Sequence, residues 1–501
     1  MKRFAFASLA GALLVGTCFA QGRIVINEFQ YDDSGTDDKE FVELYNAGDQ
    51  PVDISGWVLA AGDLATLTDN NADYTIPGGT TLQPGQYYVL GSAVVPNVNQ
   101  IVGVNNLWEN DNEWLALKDT AGNIIDALAY ETNKGSNFPA GHFEGLGLWG
   151  NFTSIDGDAA GTDLTFQSLS RWEDGYDTNN NGRDFALKIW TPGSNNNPTA
   201  APSLPRSYDF DDNFMGAMVP DFTGSFRNPR YIDPTAMDDF VLYNPNIIPA
   251  SPQGGNAMCM WDWAGGGNAA ATDFHFTGAL GAEMWVYLDT ALHAGTDLES
   301  WAVGILGTTE TFFNLPFVNP ASACAITGLA WVWRKSATEN SLRLVDAKNG
   351  GNSGDTGTVW NVLGTIDLTS MASGWYRLRI EAQGSVVRGI FGGTYGSKTD
   401  GTSFCGVVDD VSNRRGQFYL GFREAVGSNL ATNPPRIDRL TLYAPAAGTG
   451  DVNGDGCIDD TDLAIVLTAF GSNDCTADVN SDGIVDDTDL AIVLGTFGDG
   501  C

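Results

Sequence analysis

"DVNGDGCIDDTDLAIVL" (Asp451–Leu467) recurs with few changes as "DVNSDGIVDDTDLAIVL" (Asp478–Leu494). Within each copy, oxygen-bearing side chains fall at alternating positions: Asp451, Asn453, Asp455 and Asp459, then Asp462; and Asp478, Asn480, Asp482 and Asp486, then Asp489. A loop that wraps a hard cation takes ligands from positions 1, 3, 5, 7, 9 and 12, the seventh through its backbone carbonyl, and turns sharply at the sixth. Cys457 and Ile484 are therefore acceptable at the seventh place, and Gly456 and Gly483 stand at the sixth. The eighth is apolar, Ile458 and Val485, as a loop-pairing residue should be. The pattern predicts two calcium sites.

Each loop runs into an apolar stripe of helical period, Leu463, Val466, Leu467 and Phe470, repeated as Leu490, Val493, Leu494 and Phe497. Neither "PAAGTG" before Asp451 nor "GSNDCTA" before Asp478 can form a helix ahead of its loop. One loop and one short helix are too small to fold alone, so two copies are expected to pair their apolar faces. Calcium would then offset the repulsion among twelve aspartates in a segment that lies wholly beyond Arg439, the last cation of the chain. Folding and metal binding are expected to be coupled.

A doubled loop-and-helix with Asp at the twelfth place resembles the type I dockerin, over Gly450 to Cys501. The resemblance implies docking to a cohesin-like or cell-surface protein, and an association with polysaccharide breakdown. This chain departs from the family at positions 10 and 11, which read Asp460-Thr461 and Asp487-Thr488 where Ser-Thr is frequent, and it lacks basic residues on the helices. Ile465 and Ile492 lie off the main stripe, as a partner surface or as packing against the sister helix. Cys457 and Cys501 would meet if the ends of the unit lie together, with Cys475 the rival partner for either.

The rest of the 501-residue chain carries the same acidic bias, for a net charge of −37. Such a surface disfavours nucleic acid, whose phosphates need cations. "MKRFAFASLAGALLVGTCFAQG" reads as a secretory signal, with Lys2 and Arg3 ahead of an apolar run and cleavage near Ala20. The run is too short to span a bilayer, and no other segment could. The chain is expected to be secreted or held at a cell surface. Loss of the signal removes Cys18 and leaves Cys259, Cys324, Cys405, Cys457, Cys475 and Cys501, an even set that suits disulfides in an exported protein.

Upstream of the tail, short alternating runs bounded by Gly, Asn and Asp replace helical periods, so the fold class is mainly β. "RIVINEFQY" opens the first piece, followed by "KEFVELYNAGDQPVDISGWVL", "QPGQYYVLG" and a hairpin, "NEWLALKDTAGNIIDALAY", turning at Ala121-Gly122-Asn123. Asn27-Glu28-Phe29, Glu40 to Asn46 and Ser55-Gly56-Trp57 resemble the lamin tail domain, an immunoglobulin-like β-sandwich. "QSLSRWEDGYDTNNNGRDFALKIWTPGSNN" is similar to the segment that closes bacterial examples. The resemblance implies a fold with no shared chemistry, so Glu28 and Glu43 are read as strand carboxylates bonded to neighbouring backbone and turn groups. Asp177, Asn179, Asn181 and Asp184 imitate the front of a calcium loop, but Lys188 occupies the twelfth place; an Asn-rich turn is the alternative.

"SYDFDDNF" opens the middle piece and "PPRIDRLTLY" closes it. Strands such as "GAEMWVYLDT" and "LAWVWRKS" between them suit a two-sheet jelly roll. The order resembles concanavalin A-like lectin and glucanase folds, in which the first strand lies beside the last. Glu283 and Asp289 stand too far apart in sequence for a glucanase triplet, and no Gly-x-Ser-x-Gly surrounds a serine for His142, His275 or His293 to serve. Trp261, Trp263, Trp285, Trp331 and Trp333 are candidates for stacking on sugar rings, or for the core. Asp209, Asp211 and Asp438 are candidates for a further calcium.

The expected layout is a signal over 1–20, an immunoglobulin-like sandwich over 21–197, a linker over 198–205, a jelly roll over 206–444, a linker over 445–450 and the all-α calcium-binding unit over 451–501. A non-catalytic binding or scaffold protein fits best, with polysaccharide as a candidate ligand. The alternatives are a glycoside hydrolase component and an anchored cell-envelope protein.

Overall fold

The computed structural model describes residues 22–31, 38–63, 73–108, 113–130, 141–142, 144, 167–179, 181–196, 200–211, 218–224, 229–236, 247–260, 267–290, 299–307, 309–310, 325–352, 360–398, 400–423, 436–445, 448, 450–453 and 456–501. The expected signal segment, Asp455, Trp261, Trp263, His293 and Cys324 lie outside the described residues. Strands dominate, and helices of more than one turn occur only in the tail among those residues.

Two sheets form the first sandwich. Six strands lie in the order Phe185–Ile189, Gln167–Arg171, Ile24–Gln30, Phe41–Asn46, Tyr87–Ser92 and Gln100–Gly103. Four face them, Ile124–Tyr130, Glu113–Lys118, Val58–Asp63 and Tyr74–Thr75. The last pair of the larger sheet runs parallel. Strand Ile24–Gln30 departs from simple alternation. Its register slips between Ile26 and Glu28, a bulge that puts both Ile26 and Phe29 into the core. All seven of its residues are buried, because the sheet covers one face and the closing segment the other. The expected hairpin turns as read: Gly122 has φ +83°, and its N–H donates to the Asp119 carbonyl.

The middle sandwich pairs an eight-stranded with a nine-stranded sheet. Its first short strand, Arg206–Tyr208, lies against the last, Arg436–Tyr443, with Tyr208 opposite Leu440, as expected for its two ends. Met284, Val286, Leu344, Ile437 and Leu440 fill the space between the sheets. Trp331 and Trp333 join them, 0% and 8% exposed. Their indole N–H groups donate to the Arg379 carbonyl at 2.8 Å and to Asn340 Oδ1 at 3.0 Å. These two tryptophans are core residues, not a sugar platform. The two sandwiches touch through Glu173, which reaches Arg415 at 3.2 Å and His275 at 3.3 Å.

The tail consists of helices Asp460–Ala469 and Asp487–Gly495, each entered directly from its loop. Ile458, Val466, Ala477, Val479, Val485 and Val493 make its core. Cys457 is bonded to Cys501, closing the unit on itself. By chain entropy a cross-link of this span stabilises by up to about 4 kcal/mol. Cys475 is bonded to Cys405 on strand Thr402–Val407, so a second disulfide joins the tail to the middle sandwich. No described helix is long and apolar enough to cross a membrane.

Candidate metal centre

The two loops close by the same bonds. In the first, Asp462 Oδ1 accepts from the N–H groups of Val452 at 2.7 Å and Asn453 at 3.0 Å, and Oδ2 from that of Asp459 at 3.0 Å. In the second, Asp489 accepts from Val479, Asn480 and Asp486 at 2.7, 3.0 and 2.9 Å. The twelfth residue thus draws together positions 2, 3 and 9. The sharp turn falls on Gly456 and Gly483, at φ +92° and +101°, a region closed to most side chains. Their N–H groups donate to Asp451 Oδ2 and Asp478 Oδ2. Asn480 Oδ1 accepts from the Asp482 N–H at 2.9 Å, and Asp482 Oδ1 from the Ile484 N–H at 3.0 Å.

Position 9 has a second task. Asp459 and Asp486 are helix N-caps, each accepting from the N–H two residues on at 2.7 Å. Asp462 and Asp489 complete capping boxes, so the loop residues also start the helices. Burial would push the Asp462 carboxyl up. The N–H groups of Asn453, Asp459 and Val452 outweigh it and hold the carboxyl below its usual range. Asp478 is pushed up, first by burial and then by the charges of Asp489 and Asp482. A repelling set of carboxylates with an amide and a carbonyl oxygen is a donor set that could hold calcium. The residues fit that ion.

Holding Asp462 and Asp489 over their loops fixes how the helices face. Val466 and Val493, one turn on, are buried beneath them. Ile465 and Ile492 pack against the same core. Leu467, Phe470, Leu494 and Phe497 are turned outward instead, 49–54% exposed. The expected apolar stripe is therefore split: two of its members in each copy form surface, and Ile465 and Ile492, read as lying off it, are partly buried against the core.

Elsewhere the nominated residues serve structure. Glu28 accepts from Ser168 Oγ, from the Thr191 N–H at 2.7 Å and from Thr191 Oγ1 at 3.0 Å. Glu43 accepts from Asn27 Nδ2 at 2.9 Å and the Gly193 N–H at 2.6 Å. These carboxylates bind the closing segment to the central strands, as read from the sequence. Of Asp177, Asn179, Asn181 and Asp184, only the two aspartates converge, with Glu144, their oxygens within 4.8 Å of one another. Asn181 is engaged by Ala127 and Glu144 backbone, and Asp177 Oδ1 accepts from the Asn179 N–H in a local turn. The cation in this cluster is Arg171, fully buried, with Asp126 at 2.9 Å and Asp177 and Asp184 both at 3.5 Å. Sequence reading missed it, because Asp126, Glu144 and Arg171 itself come from other segments than the turn that carries Asp177 and Asp184.

In the middle sandwich Asp438 accepts from Ser251 Oγ and the Arg439 N–H, while Asp211 accepts from the Asn256 N–H. Burial first, then the charges of Asp211 and Asp209, pushes Asp438 up to about 6. Glu283 is held by Arg377 at 2.6 Å, and Asp289 accepts from Ser373 Oγ at 2.9 Å. His275 faces Glu173, and burial pushes it down to about 4. His142 lies edge-on to Trp114.

One pH dependence follows. Burial raises Glu28 to about 7, and burial with the charge of Glu28 raises Glu43 to about 9. Both hold protons more tightly folded than unfolded, so their contribution to stability is full below the ordinary carboxylate range. It is lost as pH rises through about 7 and about 9. Urea unfolding of the first sandwich should show a midpoint falling from pH 5 to 8, less steeply in Glu43→Gln. A rising midpoint over that range contradicts the assignment.

Residues 18–132 match the family described as the Lamin Tail Domain, and residues 449–496 match the Dockerin type I domain. No curated protein matches the chain. Among solved structures, the chain is similar to the carbohydrate binding module CBM66 from Bacillus subtilis, at 10% identity over 38% of this chain and 87% of that one, TM-score 0.22. It is also similar to a legume lectin-like domain from Entamoeba histolytica, at 10% identity over 42% and 100%, TM-score 0.25. A third is the metal-free carbohydrate recognition domain of Emp46p, at 10% identity over 37% and 82%, TM-score 0.25.

Proposed function

We propose that this chain is an exported, non-catalytic attachment protein, whose tail binds two calcium ions and docks to a cohesin-like protein while carrying two β-sandwiches. The observation that carries the reading is the bond-for-bond repetition of the two loops, down to the twelfth aspartate. Asp451, Asn453, Asp455, Asp459 and Asp462, with the Cys457 carbonyl, hold one ion. Asp478, Asn480, Asp482, Asp486 and Asp489, with the Ile484 carbonyl, hold the other. Calcium neutralises the carboxylates and fixes the helices that start on them. Leu467 and Phe470, with Leu494 and Phe497, then offer matched apolar contacts to the partner. The full chain should be retained by an immobilised type I cohesin in calcium and released by chelator. Leu467→Asp/Leu494→Asp should cost at least about tenfold in affinity. Retention unaffected by both treatments would sink the reading.

Carbohydrate binding by the middle sandwich is a second reading, favoured by the outer face of its eight-stranded sheet. Tyr287 stands opposite Trp375 there, next to Trp285, all partly exposed. Retardation of the chain in gels containing soluble polysaccharide, lost in Trp375→Ala, would support it; unchanged mobility in a panel of glucans and mannans would count against it.

A further inference from the structure

The two loops are alike in their internal bonds and unlike in their surroundings. The second lies against the middle sandwich. The Ser385 N–H donates to the Ser481 carbonyl at 2.7 Å. Arg388 donates to Ser481 Oγ at 3.1 Å and to the carbonyls of Cys475 at 2.8 Å and Asp478 at 3.0 Å. Cys405, bonded to Cys475, is the cross-strand partner of Arg388, so clamp and disulfide occupy one spot on the sheet. The turn that supplies them is itself fixed: the N–H groups of Val408 and Val411 donate to the Ser385 and Gly384 carbonyls at 2.8 Å. Gly384, at φ +52°, leaves no room for a side chain, since a Cβ would stand 2.1 Å from the Ser481 carbonyl oxygen.

The sequence carries the same asymmetry. The paired stretches differ at three places, one of them Gly454 in the first loop against Ser481 in the second. Ser481 has φ +62°, a left-handed conformation that costs a non-glycine residue free energy. Both its carbonyl and its hydroxyl are engaged by the neighbouring sandwich, which offsets that cost. Asp478, the first residue of this loop, is 1% exposed, whereas Asp451 is partly exposed.

We propose that the segment Gly384–Arg388 stands in for the helix that neither loop has in front of it, so that the second loop keeps its shape without calcium and the first does not. Calcium then organises the first half of the tail, on a second half already fastened to the middle sandwich. This rests on the calcium reading above, which it deepens by assigning the two sites different roles.

Hydrogen exchange on the full chain, in calcium and in chelator, tests it. Chelation should speed exchange of the Val452, Asn453 and Asp459 amides at least about tenfold more than that of Val479, Asn480 and Asp486. In Arg388→Gln, and independently in Cys405→Ser/Cys475→Ser, the second set should respond as the first does. Equal responses of the two loops in the unaltered chain overturn the inference and leave the calcium reading standing. No response in either loop overturns both.

Discussion

Arg171→Ala is expected to destabilise the first sandwich by about 3–5 kcal/mol. The guanidinium is fully buried, and each of its nitrogens is used. Nε donates to the Ile26 carbonyl at 2.7 Å, one amino group to the Tyr176 carbonyl at 2.9 Å and the other to Asp126 at 2.9 Å. Asp126 also accepts from the Ile26 N–H, beside the bulge of the central strand. Burial and the charge of Asp177 press Asp126 towards neutrality, and Arg171 opposes them. Glu144 is pushed up to about 8 by burial and by Asp126 and Asp177. Removing the arginine leaves several carboxyl groups in low dielectric with their nearest cation gone, which is the costly way to break such a network. Urea unfolding followed by exchange of the Ile24–Gln30 amides measures the loss. Arg171→Lys should recover only part of it, because an ammonium cannot reach three elements at once. A loss in Arg171→Ala under about 1 kcal/mol would show that the cluster rearranges at little cost.

The same network shows where sequence reading stops. The two acidic loops and the helices that start on them were legible because the pattern falls within twelve consecutive residues, and the calcium that such spacing suits belongs to the proposal above. The sandwiches were legible as alternating runs between turns, and Glu28 and Glu43 were read correctly as structural. The bulge after Ile26 leaves a trace in the sequence, where Asn27-Glu28 move the apolar positions from Ile24 and Ile26 to Phe29 and Tyr31, but only pairing with Phe41–Asn46 identifies it as a slip of register. The direction of the tail helices was misread at Leu467 and Phe470. A period of 3.6 residues locates a stripe, but the need to hold Asp462 over its loop decided which part of it faces in. The sequence leaves Cys475 as a rival partner for Cys457 and Cys501, and the structure settles the bridge as Cys457–Cys501. Cys405–Cys475 spans two pieces, and nothing local marks it.

The proposed attachment role rests on the tail being a two-site calcium unit, and calorimetric titration of the calcium-stripped full chain tests that directly. Two equivalents of calcium are predicted for the unaltered chain, and one each for Asp462→Ala and Asp489→Ala. In each variant the N–H groups gathered by the missing carboxylate lose their acceptor, and the cage loses its twelfth ligand, while the other loop keeps its own bonds. Two equivalents retained in both variants, or no heat of binding in the unaltered chain, would contradict the account.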